Sequence, residues 1–432
     1  MDRTYHRRDY CQLCGSKALT LILSLAPTPP ANAFVPESAL GETQECFPLD
    51  VFHCETCHHT QLTDVVDPAV LFENYVYVSG TSPSFVRHFE EYARAVTDRF
   101  APPGGALVVD IGSNDGTLLR FFKAARLEVL GIDPAKDIAA DATENGIETL
   151  PRFFTPELAG EIVETRGKAE VVTANNVFAH ADDLTSIARG VADLLAPGGV
   201  FVFEVSYLVD VFEDVLFDTI YHEHMAYHAV GPLQRFFPQV GLELFAAEQV
   251  PSHGGSLRGF VQLAGGPHTG DGSVNRLLEI ERRLNLKDSA TLKEFGARID
   301  RLGETFTDVL RELVAAGNTI AAYGAPAKCT TLLHHFGIAP GVIEFIVDDS
   351  PLKQGLYSPG LHIPVVASDV LLERMPDVLI ILAWNFADVI MEKNAEFRDK
   401  GGKFLIPVPE VRLLPVSPQP ARPSKMPVGH KN

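Results

Sequence analysis

The chain has 432 residues, 46% of them hydrophobic and 21% charged, which is enough for about three globular domains with sizeable cores. Its formal net charge of −20 argues against a general nucleic-acid binder, because phosphate backbones are held by clustered Lys and Arg. The strongest apolar run, "VLIILAW" (378–384), is far short of the ~20 residues that span a bilayer, and the opening "MDRTYHRRDY" has no apolar stretch. No membrane partner and no export signal are expected, and the expected compartment is the cytoplasm.

The first segment, residues 1–80, carries "YCQLCGS" and "FHCETCHH". Cys11 with Cys14, and Cys54 with Cys57, form two C-x-x-C pairs, each a tight knuckle that can aim two thiolates at one ion. Two pairs complete the tetrahedron that zinc favours. Four thiolates leave no open position, so a structural Zn2+ is expected, with His53, His58 and His59 as spare neighbours. Cys46 and Cys329 read as unrelated buried thiols.

Residues 84–265 alternate strand-like and helix-like stretches, the pattern of a doubly wound, mostly parallel α/β sheet. "GALVVDIGSNDGTLLRFF" (105–122) reads as strand, Gly-rich turn and helix; "LEVLGIDPA" (127–135) is a second strand ending in Asp133. "AEVVTANNVFAH" (169–180) is a strand ending in Asn175 and Asn176, and "LLAPGGVFVFEV" reads as helix end, Pro-Gly-Gly turn and strand. Residues 270–316 form a helical connector, with Leu292, Phe295, Ile299, Leu302, Phe306, Val309 and Leu313 recurring at three- and four-residue steps as packing surface. Residues 317–412, from "NTIAAYGAPAKCTTLL" onward, repeat the strand-turn-helix theme as a second α/β domain. The proline-rich 413–432 is expected to be disordered.

The glycine turn lacks the dinucleotide fingerprint G-x-G-x-x-G, having Gly112 and Gly116 around Ser113 and Asn114. Asp110 would repel a pyrophosphate but suits the ammonium and sulfonium of S-adenosylmethionine, and Asp133 is placed to accept ribose hydroxyls. The stretch 105–205 resembles the S-adenosylmethionine-dependent methyltransferases, with Asn175 and Asn176 on the same rim. Another nucleotide-binding α/β domain stays open as the alternative.

Residues 218–228, "DTIYHEHMAYH", fail the metalloprotease pattern H-E-x-x-H because Ala226 stands where the second His is required. On a strand His222 and His224 would share a face; on a helix His224 and His228 would align. "NNVFAHADD" lacks the Asn/Asp-Pro-Pro-aromatic turn that goes with methylation of planar amines.

Taken together, the paired knuckles, "DIGSNDGTLL", "NNVFAH", "YHEH", "HGGSLR" and "YGAPAK" resemble a family of S-adenosylmethionine-dependent nucleotide-deoxysugar C-methyltransferases. The resemblance covers nearly the whole chain and implies a zinc module, a Rossmann-like methyltransferase domain and a C-terminal Rossmann-like α/β domain. It also implies a nucleotide-linked 4-keto deoxysugar substrate, of dTDP or GDP type, methylated at carbon C3 in branched-sugar biosynthesis such as that of antibiotics. The family's base corresponds to His224, with Tyr221 and Glu223 beside it, His180, and a tyrosine from the first segment, Tyr75, with Tyr77 as runner-up. Histidine suits the role because a base titrating near neutrality can remove the proton that the ketone acidifies. Arg258 and Lys328 are the expected cations for the substrate's acidic end. Assembly is left open, a monomer being compatible with every group named. Two rivals stay open: a methyltransferase acting on O or N of another small acceptor, and a non-catalytic scaffold built on the zinc module.

Overall fold

In the computed structural model the described residues are 4–72, 78–81 and 83–414. Three sheets of four or more strands organise the chain. The first is antiparallel and joins Leu19–Thr28, Phe47–Cys54 and Thr60–Leu62, with a fourth strand, Ala226–Tyr227, arriving from far along the chain. That strand pairs Ala226 with Gln61 and Tyr227 with Thr60.

The central seven-stranded sheet runs, in spatial order, Leu242–Val250, Ser256–Leu263, Leu195–Ser206, Ala169–Asn175, Leu107–Ile111, Glu128–Ile132 and Thr149–Leu150. The last five in that order are parallel, and Ser256–Leu263 lies antiparallel between its two neighbours. From Leu107–Ile111 the chain first builds outward on one side, then crosses to the other, so this strand is the topological switch point, where a crevice opens beyond the strand ends. The Pro-Gly-Gly turn expected at 197–199 is absorbed into Leu195–Ser206 as an irregularity in its pairing between Leu195 and Val200.

The C-terminal sheet orders Val365–Val366, Ile346–Val347, Ile320–Tyr323, Val378–Ile381 and Lys403–Ile406 in parallel, closed by the antiparallel Arg412–Leu414. The architecture is thus α/β, with two Rossmann-like sheets and a small cysteine-bearing module. Of the expected apolar stripe on the helix Ser289–Ala315, Leu292, Phe295, Ile299, Phe306 and Leu313 are buried. Leu302 and Val309 pack only partly. Cys329 is buried as expected, whereas Cys46 is exposed, a correction to the sequence reading. Among the described residues no helix is long and apolar enough to cross a membrane.

One helix, Lys328–His335, fixes the relation of the parts. Thr330 Oγ1 donates to the Ala31 carbonyl at 3.1 Å and Thr331 Oγ1 to the Ile220 carbonyl at 2.7 Å. His335 Nδ1 accepts from the Ala26 amide at 3.2 Å. The cysteine-bearing module, the turn before "YHEH" and the C-terminal domain therefore meet on a single helix.

Candidate active site

The four Sγ atoms of Cys11, Cys14, Cys54 and Cys57 lie within 4.8 Å of one another, the one such cluster of metal-ligand residues among those described. Each knuckle closes alike. The Gly15 amide donates to the Cys11 carbonyl and the His58 amide to the Cys54 carbonyl, both at 2.8 Å. The residue after each second cysteine is left-handed, Gly15 at φ 70° and His58 at φ 66°. An all-sulfur set this crowded fits a tetrahedral zinc and leaves no position for substrate. His59 is instead buried against Gln12 at 3.0 Å, and His53 meets Thr60 Oγ1 at 3.4 Å.

A cavity of about 590 Å³ opens beyond the ends of the central strands and is closed on its far side by the C-terminal domain. Gly112 leaves the strand Leu107–Ile111 at φ +71°, where a Cβ would stand 2.2 Å from Val177 Cγ2, so the close approach requires glycine. Gly116 caps the next helix, Thr117–Ala124. Asp133 Oδ2 accepts the Asn114 amide and Oδ1 the Ala135 amide, both at 2.9 Å, which fixes the carboxylate at the cavity wall. Burial raises its pKa, and those two amides oppose the rise. Burial pushes the Asp110 carboxyl up to about 7 against the Thr173 hydroxyl, which donates at 2.6 Å. Ser113, Asn175 and Asn176 also face the cavity, and Asn176 adopts φ 55° with its amide on the Glu204 carbonyl. The chemistry suits a ligand carrying positive charge near Asp110 and hydroxyls near Asp133.

Residues 218–228 are neither helix nor strand for most of their length. A 3-10 turn at Phe217–Thr219 leads to a tight turn in which the His224 amide donates to the Tyr221 carbonyl at 2.8 Å. Each histidine therefore has its own surroundings. His222 and His228 are buried on the carbonyls of Phe47 and Phe178, and burial lowers both to about 4, keeping them neutral. His224 faces the cavity, its Nδ1 2.8 Å from the Thr219 carbonyl and its Nε2 2.8 Å from Tyr221 Oη. A carbonyl can only accept, so Nδ1 carries the proton and Nε2 is the basic nitrogen, taking the Tyr221 hydroxyl proton in a hydrogen bond. Glu223 accepts from Asn32 Nδ2 at 2.8 Å. The His180 ring lies 5.0 Å from that of His224, centroid to centroid.

Tyr75 and Tyr77 lie outside the described residues, as does 415–432. Lys328 reaches the cavity; its Nζ donates to Asn385 Oδ1 at 2.6 Å and sits 3.5 Å from the Trp384 ring centroid. Burial lowers its pKa to about 8, with Asp218 opposing. Arg258 is a correction. Its guanidinium is buried, with Nη2 and Nη1 each 2.9 Å from a carboxylate, Glu204 and Glu248 respectively, so it does not line the cavity and is not free to receive a phosphate. Lys353, missed from sequence, lines the cavity instead and donates to the Ala325 carbonyl at 2.8 Å. Its place in the loop after the strand Ile346–Val347 was the available signal. The Thr219 carbonyl was also missed, and backbone atoms leave no such signal.

Family models match along the chain: a zinc binding domain at residues 11–72, a methyltransferase domain at 85–247 and a C-methyltransferase C-terminal domain at 251–409. The C-methyltransferase NovU of Streptomyces niveus is 36% identical over 408 residues, which is 94% of this chain and 97% of that one. A ubiquinone biosynthesis O-methyltransferase of Ralstonia nicotianae is 32% identical over 105 residues, 24% of this chain and 44% of its own length.

Proposed function

The chain belongs to the S-adenosylmethionine-dependent C-methyltransferases, and on that premise we propose that it methylates carbon C3 of a nucleotide-linked 4-keto-6-deoxysugar. The observation that carries this reading is the chain of hydrogen bonds from Tyr221 through His224 to the Thr219 carbonyl, beside a cavity that also holds Asp110 and Asp133. Heteroatom acceptors already own a lone pair. Carbon attacks only as a carbanion equivalent, and a ketone next to it lets a base near neutrality generate one as an enolate.

S-adenosylmethionine supplies the electrophilic methyl. His224 Nε2 receives the proton from C3, and the Tyr221 hydroxyl, which holds that lone pair, either passes the proton on or turns aside. The imidazolium so formed keeps its Nδ1 proton on Thr219. His180, or Tyr75 from the first segment, donates to the enolate oxygen as charge develops there. Glu223 holds the turn through Asn32. Lys328 and Lys353 serve the anionic end of the nucleotide in place of Arg258. The zinc module, in this reading, is structural.

Incubating the enzyme with methyl-labelled cofactor and a panel of dTDP- and GDP-linked 4-keto sugars in D2O tests the assignment. The label is expected on ring carbon, with deuterium entering beside the ketone when cofactor is withheld. Label on oxygen or nitrogen would favour the heteroatom reading.

Asp110 gives a second expectation. Its folded pKa, about 7, stands above the ordinary 3.8, so its contribution to stability is whole below about pH 4 and is lost as pH rises through about 7. Asp110→Asn should therefore raise the melting temperature at about pH 8, where wild type carries the buried charge. It should also flatten the pH dependence of cofactor binding by calorimetry, which in wild type strengthens as the carboxyl ionises. A variant that binds cofactor with the wild-type pH profile would remove Asp110 from the cation's surroundings.

A further inference from the structure

We propose that Trp384 and Thr331 of the C-terminal domain are positioning residues that set the aim and tautomer of His224, by clamping the turn whose carbonyl holds its Nδ1. The inference rests on reading His224 as the base. Thr219 O accepts from His224 Nδ1, and the residues on either side of Thr219 are both tied to the C-terminal domain. Asp218, wholly buried, accepts from Trp384 Nε1 at 2.6 Å, and the Ile220 carbonyl accepts from Thr331 Oγ1 at 2.7 Å. Trp384 follows the strand Val378–Ile381, and Thr331 lies on the helix Lys328–His335, so two separate elements grip the same three residues. The hydroxyl of Thr219 itself closes the turn on the Leu216 carbonyl at 2.6 Å.

The central domain makes room for this contact. Gly254, in the "HGGSLR" stretch, has φ +94°, and a Cβ there would stand 2.7 Å from Trp384 Cη2. Burial raises the Asp218 pKa, and Lys328, which covers the same indole at 3.5 Å, counters that rise together with the indole N–H, so carboxyl, indole and ammonium form one packed unit. An indole N–H on a carboxylate is a strong, directional bond, suited to holding a turn in one orientation. With the carbonyl held, the imidazole keeps its proton on Nδ1 and its lone pair toward the cavity. With it released, the other tautomer becomes accessible and the lone pair faces the wrong way.

Trp384→Phe removes the N–H together with the five-membered part of the indole; Thr331→Val keeps the shape and removes only the hydroxyl, and is the cleaner of the two variants. In each, kcat is expected to fall about 10-fold to 100-fold, the span of one lost bond to a charged or buried polar group, and in Thr331→Val, which leaves Lys328 on its indole, sugar KM and cofactor Kd should hold within about twofold. The acid limb of the kcat profile should shift. Ring-15N NMR of histidine-labelled protein should show the His224 signals moving away from a pure Nδ1–H tautomer. A merely structural role would lower melting temperature and yield but leave the pH profile and ring shifts of the folded enzyme at wild-type positions, and that result overturns the proposal. Adding Trp384→Phe to His224→Asn should cost nothing further, whereas an additive loss also overturns it. Full activity of His224→Asn alone would end the base reading and the clamp with it; a slow His224→Asn beside an unchanged Trp384→Phe would end the clamp only.

Discussion

Replacing His224 with asparagine is expected to slow methyl transfer by about 10²–10⁴-fold while cofactor still binds, the usual contribution of a positioned general base. Asparagine can still donate to the Thr219 carbonyl, so the turn stays closed, but it offers no basic nitrogen where Nε2 stood. Deuterium entry beside the ketone, measured without cofactor, should fall in parallel. Parallel loss is the informative part, since it separates proton removal from methyl capture. A variant in which deuterium entry persists while methylation stops would mean that another group forms the enolate and that His224 acts later. Tyr221→Phe makes the companion variant, losing the hydroxyl that occupies the same lone pair at 2.8 Å.

Removing zinc should have an effect as large, by a different route. With four thiols inside 4.8 Å and both knuckles closed on cysteine carbonyls, the module has little to hold those loops apart once the ion is gone. Structural zinc contributes about 10–16 kcal/mol in small zinc-finger peptides, more than a small module can replace. The loss would not stay local. Asn32 holds Glu223 at 2.8 Å, and the Phe47 carbonyl accepts from His222 at 3.2 Å, so "YHEH" leans on this module from two sides. Cys54→Ser, or chelation, is expected to release one zinc per chain and cut methyl transfer at least about 100-fold, the scale of a ~1 Å misplacement of a catalytic group. Far-UV circular dichroism should retain most of its helical signal. Full activity in a zinc-free sample, checked by elemental analysis, would detach the module from catalysis.

Much of this was legible in the sequence because it rests on local spacing. A C-x-x-C pair implies a knuckle wherever it occurs, and an acid ending a β-strand before a glycine turn implies a crevice of known polarity. Asp110, Gly112 and Asp133 belong to that class. What was not legible depends on partners far away in the chain. Arg258 looked like a free cation until Glu204 and Glu248 were seen against it. The three histidines of "DTIYHEHMAYH" could not be ranked by periodicity, because a turn has none, and what tells them apart is which carbonyl each one meets. The bulge at 197–199 was hidden for a related reason: Pro-Gly-Gly ends a strand in isolation, but here the neighbouring strand Ala169–Asn175 pairs with Leu195 before it and with Val200 after it, across a shift in register.

The two-residue strand Ala226–Tyr227 has a consequence for anyone cutting this protein apart. It covers the rim of Thr60–Leu62, so a fragment ending near residue 80 would present bare backbone donors and acceptors to its own copies, an invitation to aggregate. Grafting the cysteine-bearing piece from one homologue to another would fail for the same reason unless the matching dipeptide travelled with it. The seam that matters for engineering thus runs through the middle of the polypeptide, where no linker marks it.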